Sequence, residues 1–246
     1  MHIEVVTLFP AMIEEALRYG VLGRALERGQ VSVGTVDPRR FTHDTHRTVD
    51  DRPYGGGPGM VLKAEPLCAA IEVARQRVPA GTARIALSAQ GALLTQSRLR
   101  QWAQQPALVL IAGRYEGIDE RVLELAVDEE VCIGDYVVSG GELPALVLID
   151  ALVRLLPGVL GDARSNVEES FGEGLLDWPH YTRPEVFQER RVPAVLSSGD
   201  HAAIRRWRIK QSVGRTWMRR PELITRSPLD DERRGLLEEF LQEQRP

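Results

Sequence analysis

Three glycine-rich segments offer the clearest chemistry in the chain: Tyr54 to Met60 (YGGGPGM), Gly113 to Gly117 (GRYEG) and Ile133 to Glu142 (IGDYVVSGGE). Glycines let backbone amides come close to a flat, polar ligand. Each segment follows a strand-like run, and loops at the carboxyl ends of parallel strands are where α/β proteins hold ligands. Any one of them alone reads equally well as an ordinary turn. Three together, two with acidic flanks, point to a binding site. None is a G-x-G-x-x-G turn opening a helix, and G-x-x-x-x-G-K-[ST] does not occur, so dinucleotide-binding and P-loop chemistry lose support.

A second candidate surface lies between His201 and Arg220. Arg205, Arg206, Arg208, Lys210, Arg215, Arg219 and Arg220 fall there with no acidic residue, and Trp207 and Trp217 are interleaved. That is a local basic face on a chain of net charge −4, which as a whole is too acidic to coat nucleic acid. Lys63 and Lys210 are the only lysines, so arginine serves as the general cation and a solvated helix face remains the competing reading.

The elements that must position these groups read as an α/β domain. His2 to Leu8 alternates like a strand, and Phe9-Pro10 opens one helical pattern through Ile13, Leu17, Val21 and Leu26. Strand patterns recur at Val31 to Val36, Arg84 to Ser88 and Ala107 to Ala112, with helical patterns at Ala64 to Arg77, Thr95 to Trp102, Ile118 to Ala126 and Leu143 to Leu156. A mostly parallel sheet with covering helices follows. Pro157 to Gly174 is polar and aperiodic, as a linker would be. Beyond it, Pro184 to Phe187, Asp200 to Met218 and Asp230 to Glu243 read as helices with no convincing strands, with Asp200 an N-cap and Pro228 to Asp231 a helix start. The division expected is 1–160 for the sheet domain, 161–175 for the linker and 176–246 for a small helical domain.

No apolar run is long enough for a membrane span, and the opening residues read as a strand, so a cytoplasmic protein is expected. Cys68 and Cys132 sit in apolar segments without metal-like spacing, which favours reduced thiols over a disulfide or zinc site.

GRYEGIDER at 113–121, IGDYVVSGGE at 133–142, PHYTRPE at 179–185 and RRWRIKQSVGRTWMRRPEL at 205–223 closely resemble bacterial tRNA (guanine-N1)-methyltransferases, and the likeness runs end to end. The resemblance implies the SPOUT class: a sheet threaded into a deep trefoil knot that binds S-adenosylmethionine in a bent conformation. Topology rules would steer away from a knot, so the knot rests on the resemblance alone. The family's cofactor pocket maps onto Leu87, Ser88, Gly113, Arg114, Tyr115, Glu116, Ile133, Gly134, Asp135, Tyr136, Val137, Val138, Gly140, Gly141 and Pro144. Backbone groups would read the adenine edge, and Ile133 and Val138 would cover the ring. Glu116 would favour the sulfonium and could help hold a magnesium ion.

Guanine N1 carries a proton, so a base must remove it as the methyl arrives, and charge develops toward O6. The resemblance places Arg154 at O6 and the base in a D-S-F motif that here reads Glu169-Ser170-Phe171, one methylene longer, with Glu168 a competing candidate. On tRNA, methylation is implied at the guanosine 3′ of the anticodon. His180, Tyr181 and Arg183 would approach the anticodon stem, and Arg205, Arg208, Lys210 and Arg215 the phosphates. Trp207 or Trp217 would pack in the small core. His43, Asp44, His46, Asp50, Asp51 and Arg52 form a polar cluster placed near the acceptor site. The family's homodimer would pair one subunit's pocket with the other's base. Two rival readings are a SPOUT enzyme acting on another base or a ribose, and a non-catalytic RNA-binding protein.

Overall fold

The apolar run Ala107–Ala112 forms a strand buried along its whole length, and the rest of the first unit is built outward from it. The computed structural model describes residues 1–161 and 165–244. The chain divides into two compact units, Met1–Gly161 and Asp162–Pro246.

In the first unit the order is β1 (His2–Val6), α1 (Pro10–Ala16), α2 (Gly20–Glu27), β2 (Ser32–Val36), β3 (Asp50–Asp51), β4 (Val61–Leu62), α3 (Ala64–Gln76), β5 (Arg84–Leu93), α4 (Gln96–Trp102), β6 (Ala107–Ala112), α5 (Glu120–Ala126), β7 (Glu129–Cys132) and α6 (Glu142–Val153). Five strands pair in parallel in the order β2-β1-β6-β5-β7. Alternation sends Leu108 and Leu110 to a core under α1, α2, α4 and α6, and Val109 and Ile111 to a second core under α3 and α5. Both faces are therefore covered, as parallel sheets require.

Four local expectations change or sharpen. The single helix opened by Pro10 is two helices, because Gly20 adopts φ 66 and breaks the run. The Arg84 strand runs on to Leu93 through an irregularity between Leu87 and Ala92. The strand-like run expected ahead of Ile133 takes definite bounds as β7, which opens on Glu129 and Glu130. The Tyr54–Met60 segment does not follow a parallel strand, since it joins the antiparallel pair β3–β4.

The second unit contains α7 (Ser165–Glu168), β8 (Val186–Phe187), β9 (Arg190–Arg191), α8 (His201–Arg219), α9 (Pro221–Arg226) and α10 (Asp231–Glu243). Its small core gathers Leu175, Val213, Leu236 and Leu237. Asp200 caps α8, accepting from the amides of Ala202 and Ala203 at 3.0 Å, and Asp230 caps α10 through the Arg233 amide at 2.8 Å. Two corrections fall here. Pro184 to Phe187 is not helical, and strands do occur: β8 and β9 form a hairpin whose turn residues Gln188 and Glu189 both have positive φ, as a two-residue hairpin loop demands. Of the linker expected at 161–175, Asp162 to Arg164 lie outside the described residues, and the remainder carries α7 and a structured turn. Among the described residues no helix is long and apolar enough to cross a membrane.

Candidate active site

The carboxyl ends of β5, β6 and β7 open into one cleft of about 260 Å³. Leu87, Ser88, Gly113, Arg114, Tyr115, Glu116, Ile133, Gly134, Tyr136, Val137, Val138, Gly140, Gly141 and Pro144 all line it. Asp135 does not. The walls are held together by backbone contacts: the Gly141 amide donates to the Gly113 carbonyl at 2.8 Å, and Arg114 bridges to Gly140. Residue 141 must be glycine, since a Cβ there would stand 2.6 Å from the Ala112 Cα. The Tyr54–Met60 loop does not line the cleft, but its last residue backs it, accepting from the Glu116 amide at 2.9 Å.

Tyr115 holds a left-handed φ of 64 in the GRYEG turn. Burial, and then the charge of the Asp50 carboxylate, push the Tyr115 phenol up. Of the 43–52 polar cluster, Asp50 is thus near enough to act on the cleft loop through its charge. Asp44 is occupied otherwise: it accepts from the Thr48 hydroxyl at 2.8 Å and from the amides of Thr48 and His46, bonds that also lower its pKa.

Carboxylates dominate the cleft's charge. Glu116, Glu120 and Glu130 line it, and Arg114 is the only basic residue among the described residues that do. The Arg114 guanidinium is already engaged, with Nε donating to Glu142 at 2.7 Å and Cζ 4.5 Å from the centre of the Phe9 ring. Such a wall suits a flat ligand that carries positive charge.

The two residues assigned to proton removal and charge stabilisation lie elsewhere. Arg154 is the C-cap of α6 and half-buried, outside the cleft lining. Glu169, also half-buried, belongs to the second unit and lines a separate hollow of about 480 Å³ with Trp178, His201, Arg205, Arg208 and Arg233. The turn that carries it is fixed on both sides: the Gly172 amide donates to the Glu169 carbonyl at 2.9 Å, and Ser170 Oγ accepts from the Asp177 amide at 3.0 Å. Phe171 completes the turn at φ 67, its amide bonded to the Leu175 carbonyl at 2.7 Å. Glu168 lines the same hollow but is exposed on α7.

The sequence model of the family described as tRNA (Guanine-1)-methyltransferase TrmD matches residues 1–226. The chain belongs to this family. Curated tRNA (guanine-N(1)-)-methyltransferases are similar along their whole lengths. The protein of Methylococcus capsulatus is 58% identical over 243 residues, 99% of this chain and 97% of its own. That of Vibrio atlanticus is 55% identical over 245 residues, covering 100% of both chains. That of Coxiella burnetii is 57% identical over 241 residues, 98% of each. Membership of the SPOUT class comes with the family.

In this methyltransferase the basic helix α8 is less free than its sequence suggests. Arg205 pairs with Glu232 at 3.3 Å, Arg206 with Glu239 at 2.5 Å and Lys210 with Glu243 at 2.5 Å, all on α10. Arg208 instead lies 5.0 Å from the centre of the Trp178 ring, its Nε buried. Neither tryptophan joins the small core as expected: Trp207 lies 6.4 Å from the exposed Tyr181 ring, and Trp217 is 46% exposed. His180, bonded to Asp177 at 2.7 Å, Tyr181 and Arg183 are exposed, and Arg215 is half-buried.

Sequence reasoning missed the cleft residues Gln90, Ile118 and Cys132 and gave no role to Glu142, the buried partner of Arg114. The apolar stretch around Val131-Cys132-Ile133 was a usable signal for a strand entering the cleft. Glu142 gave none, because a glutamate is ordinarily exposed.

Proposed function

We infer that this chain is a tRNA (guanine-N1)-methyltransferase whose S-adenosylmethionine site is the cleft of the first unit. Its substrate is the guanosine immediately 3′ of the anticodon. The observation that carries the reading is the acidic cleft at the ends of β5, β6 and β7, where Arg114, the one basic lining residue among the described residues, is already paired. Glycine clearance, backbone amides and an apolar rim of Ile133 and Val138 fit a purine, and Glu116, Glu120 and Glu130 fit a sulfonium. When bound, that group supplies an electrophilic methyl. Glu169 takes the N1 proton, and Arg154 meets the charge that develops toward O6. The fixed turn around Glu169, against the exposed position of Glu168, supports Glu169 as the base.

A homodimer with composite sites joins this reading. Helix α6 is apolar apart from Glu142 and Asp150, yet Leu143 and Val147 stay 48% and 49% exposed, and so apolar a helix calls for cover. A two-fold partner is the commonest cover. The trefoil knot and a cytoplasmic setting follow from the family resemblance. Glu116 is the cleft carboxylate that would help hold a magnesium ion, since that ion takes only one or two protein carboxylates and keeps its waters.

Calorimetry on two variants tests the assignment of the two units. Gly113→Trp should abolish S-adenosylmethionine binding. Combined Arg205→Ala, Arg208→Ala and Lys210→Ala should leave it unchanged, while weakening tRNA binding and flattening its salt dependence by roughly 0.7 to 0.9 for each phosphate no longer neutralised. Breaking the exposed pairs to Glu232 and Glu243 costs little on its own. An unchanged salt slope would assign the α8 face to solvent, and cofactor binding that survives Gly113→Trp would move the site elsewhere.

A further inference from the structure

Glu142 is a fully buried carboxylate on the first turn of α6, at 0% exposure, 135 residues from one of its partners. Its Oε1 accepts from Thr7 Oγ1 at 2.8 Å and its Oε2 from Arg114 Nε at 2.7 Å. Thr7 Oγ1 in turn accepts from the Phe9 amide at 2.9 Å, and Arg114 reaches the Ser139 carbonyl at 3.2 Å while stacking on Phe9. The Arg114 side chain runs across residue 140, where a Cβ would stand 2.2 Å from Nε. One carboxylate therefore ties together the turn after β1, the turn after β6 and the loop before α6.

A buried charge is costly unless paired, so this site needs a reason beyond packing. Its partner Arg114 lines a cleft that otherwise presents carboxylates. Without Glu142, the cleft wall would carry an uncompensated guanidinium, which stays protonated under all ordinary conditions. We propose that Glu142 is a positioning and charge-compensating residue, holding Arg114 against Ser139 and Phe9 and cancelling its charge so that the cleft accepts a sulfonium. The proposal rests on the cleft being the S-adenosylmethionine site. It makes Glu142 a determinant of discrimination between the charged methyl donor and its neutral demethylated product, two ligands that share every other group.

The test is the ratio of two affinities, measured by calorimetry on the full chain with S-adenosylmethionine and S-adenosylhomocysteine. In Glu142→Gln the sulfonium form should lose roughly tenfold more affinity than the thioether, the scale expected of one unscreened charge within a protein wall. A scaffold residue would weaken both ligands alike. Combined Arg114→Met and Glu142→Gln should return the ratio to its wild-type value, because no net charge then remains, even where both affinities fall. Should Glu142→Gln fail to fold, Arg114→Met alone decides: the sulfonium should be held at least as well relative to the thioether as in the wild type. Equal losses in Glu142→Gln, or a selective loss of the sulfonium in Arg114→Met, would overturn the proposal. Failure of the wild-type chain to bind either ligand in a manner blocked by Gly113→Trp would instead remove the cleft assignment beneath it.

Discussion

Glu169→Gln is expected to slow single-turnover methyl transfer by roughly a hundredfold or more, the scale for losing a general base, while cofactor affinity stays unchanged. The reason lies in the acceptor. A protonated guanine N1 has no free lone pair in the ring plane, so transfer without deprotonation would place positive charge on the base. A glutamine of nearly the same shape keeps the turn, whose bonds run through the Glu169 and Leu175 carbonyls, the amides of Phe171, Gly172 and Asp177 and the Ser170 hydroxyl. What it removes is the proton acceptor. Single-turnover conditions matter, since slow product release would hide the chemical step. Near wild-type chemistry in Glu169→Gln with collapse in Glu168→Gln would shift the base by one residue, onto α7.

Mixing two dead variants should restore activity. On the proposed reading Gly113→Trp removes the cofactor site and Glu169→Gln the base, so each variant alone should be inactive. If the active site takes its cleft from one subunit and its carboxylate from the other, a mixed dimer collects both lesions in one site and neither in its mate. Random pairing of equal amounts makes about half the dimers mixed with half their sites intact, so roughly a quarter of wild-type activity should return. Were both groups drawn from one chain, every site would carry a lesion. An inactive mixture in which native mass spectrometry finds the heterodimer would exclude the shared site and leave the methyltransferase function untouched.

Much of the first unit was legible because its physics is local. The six-residue run Ala107–Ala112 has no polar interruption, and a strand buried on both faces needs none. Asp200 and Asp230 announced α8 and α10 because an aspartate ahead of a periodic run can satisfy the first free amides. Two opening glutamates blurred the bounds of β7 ahead of Ile133, and the β8–β9 hairpin was hidden by four exposed residues with no apolar alternation to reveal a face. At the candidate site, glycine clusters marked two cleft walls because backbone approach leaves a trace in composition. The Thr7–Glu142–Arg114 chain left no such trace. Its members are joined only by tertiary folding, and the pairing of α8 arginines with α10 glutamates is equally invisible in the order of charges along the chain.

The most direct measurement is position-resolved mass spectrometry of unmodified tRNA after incubation with the wild-type chain and S-adenosylmethionine. One methyl group should appear, on the fragment that holds the guanosine immediately 3′ of the anticodon, and nucleoside digestion should release 1-methylguanosine. A methyl on a ribose, on another base or at another guanosine would contradict the role given to Glu169 and the choice of substrate.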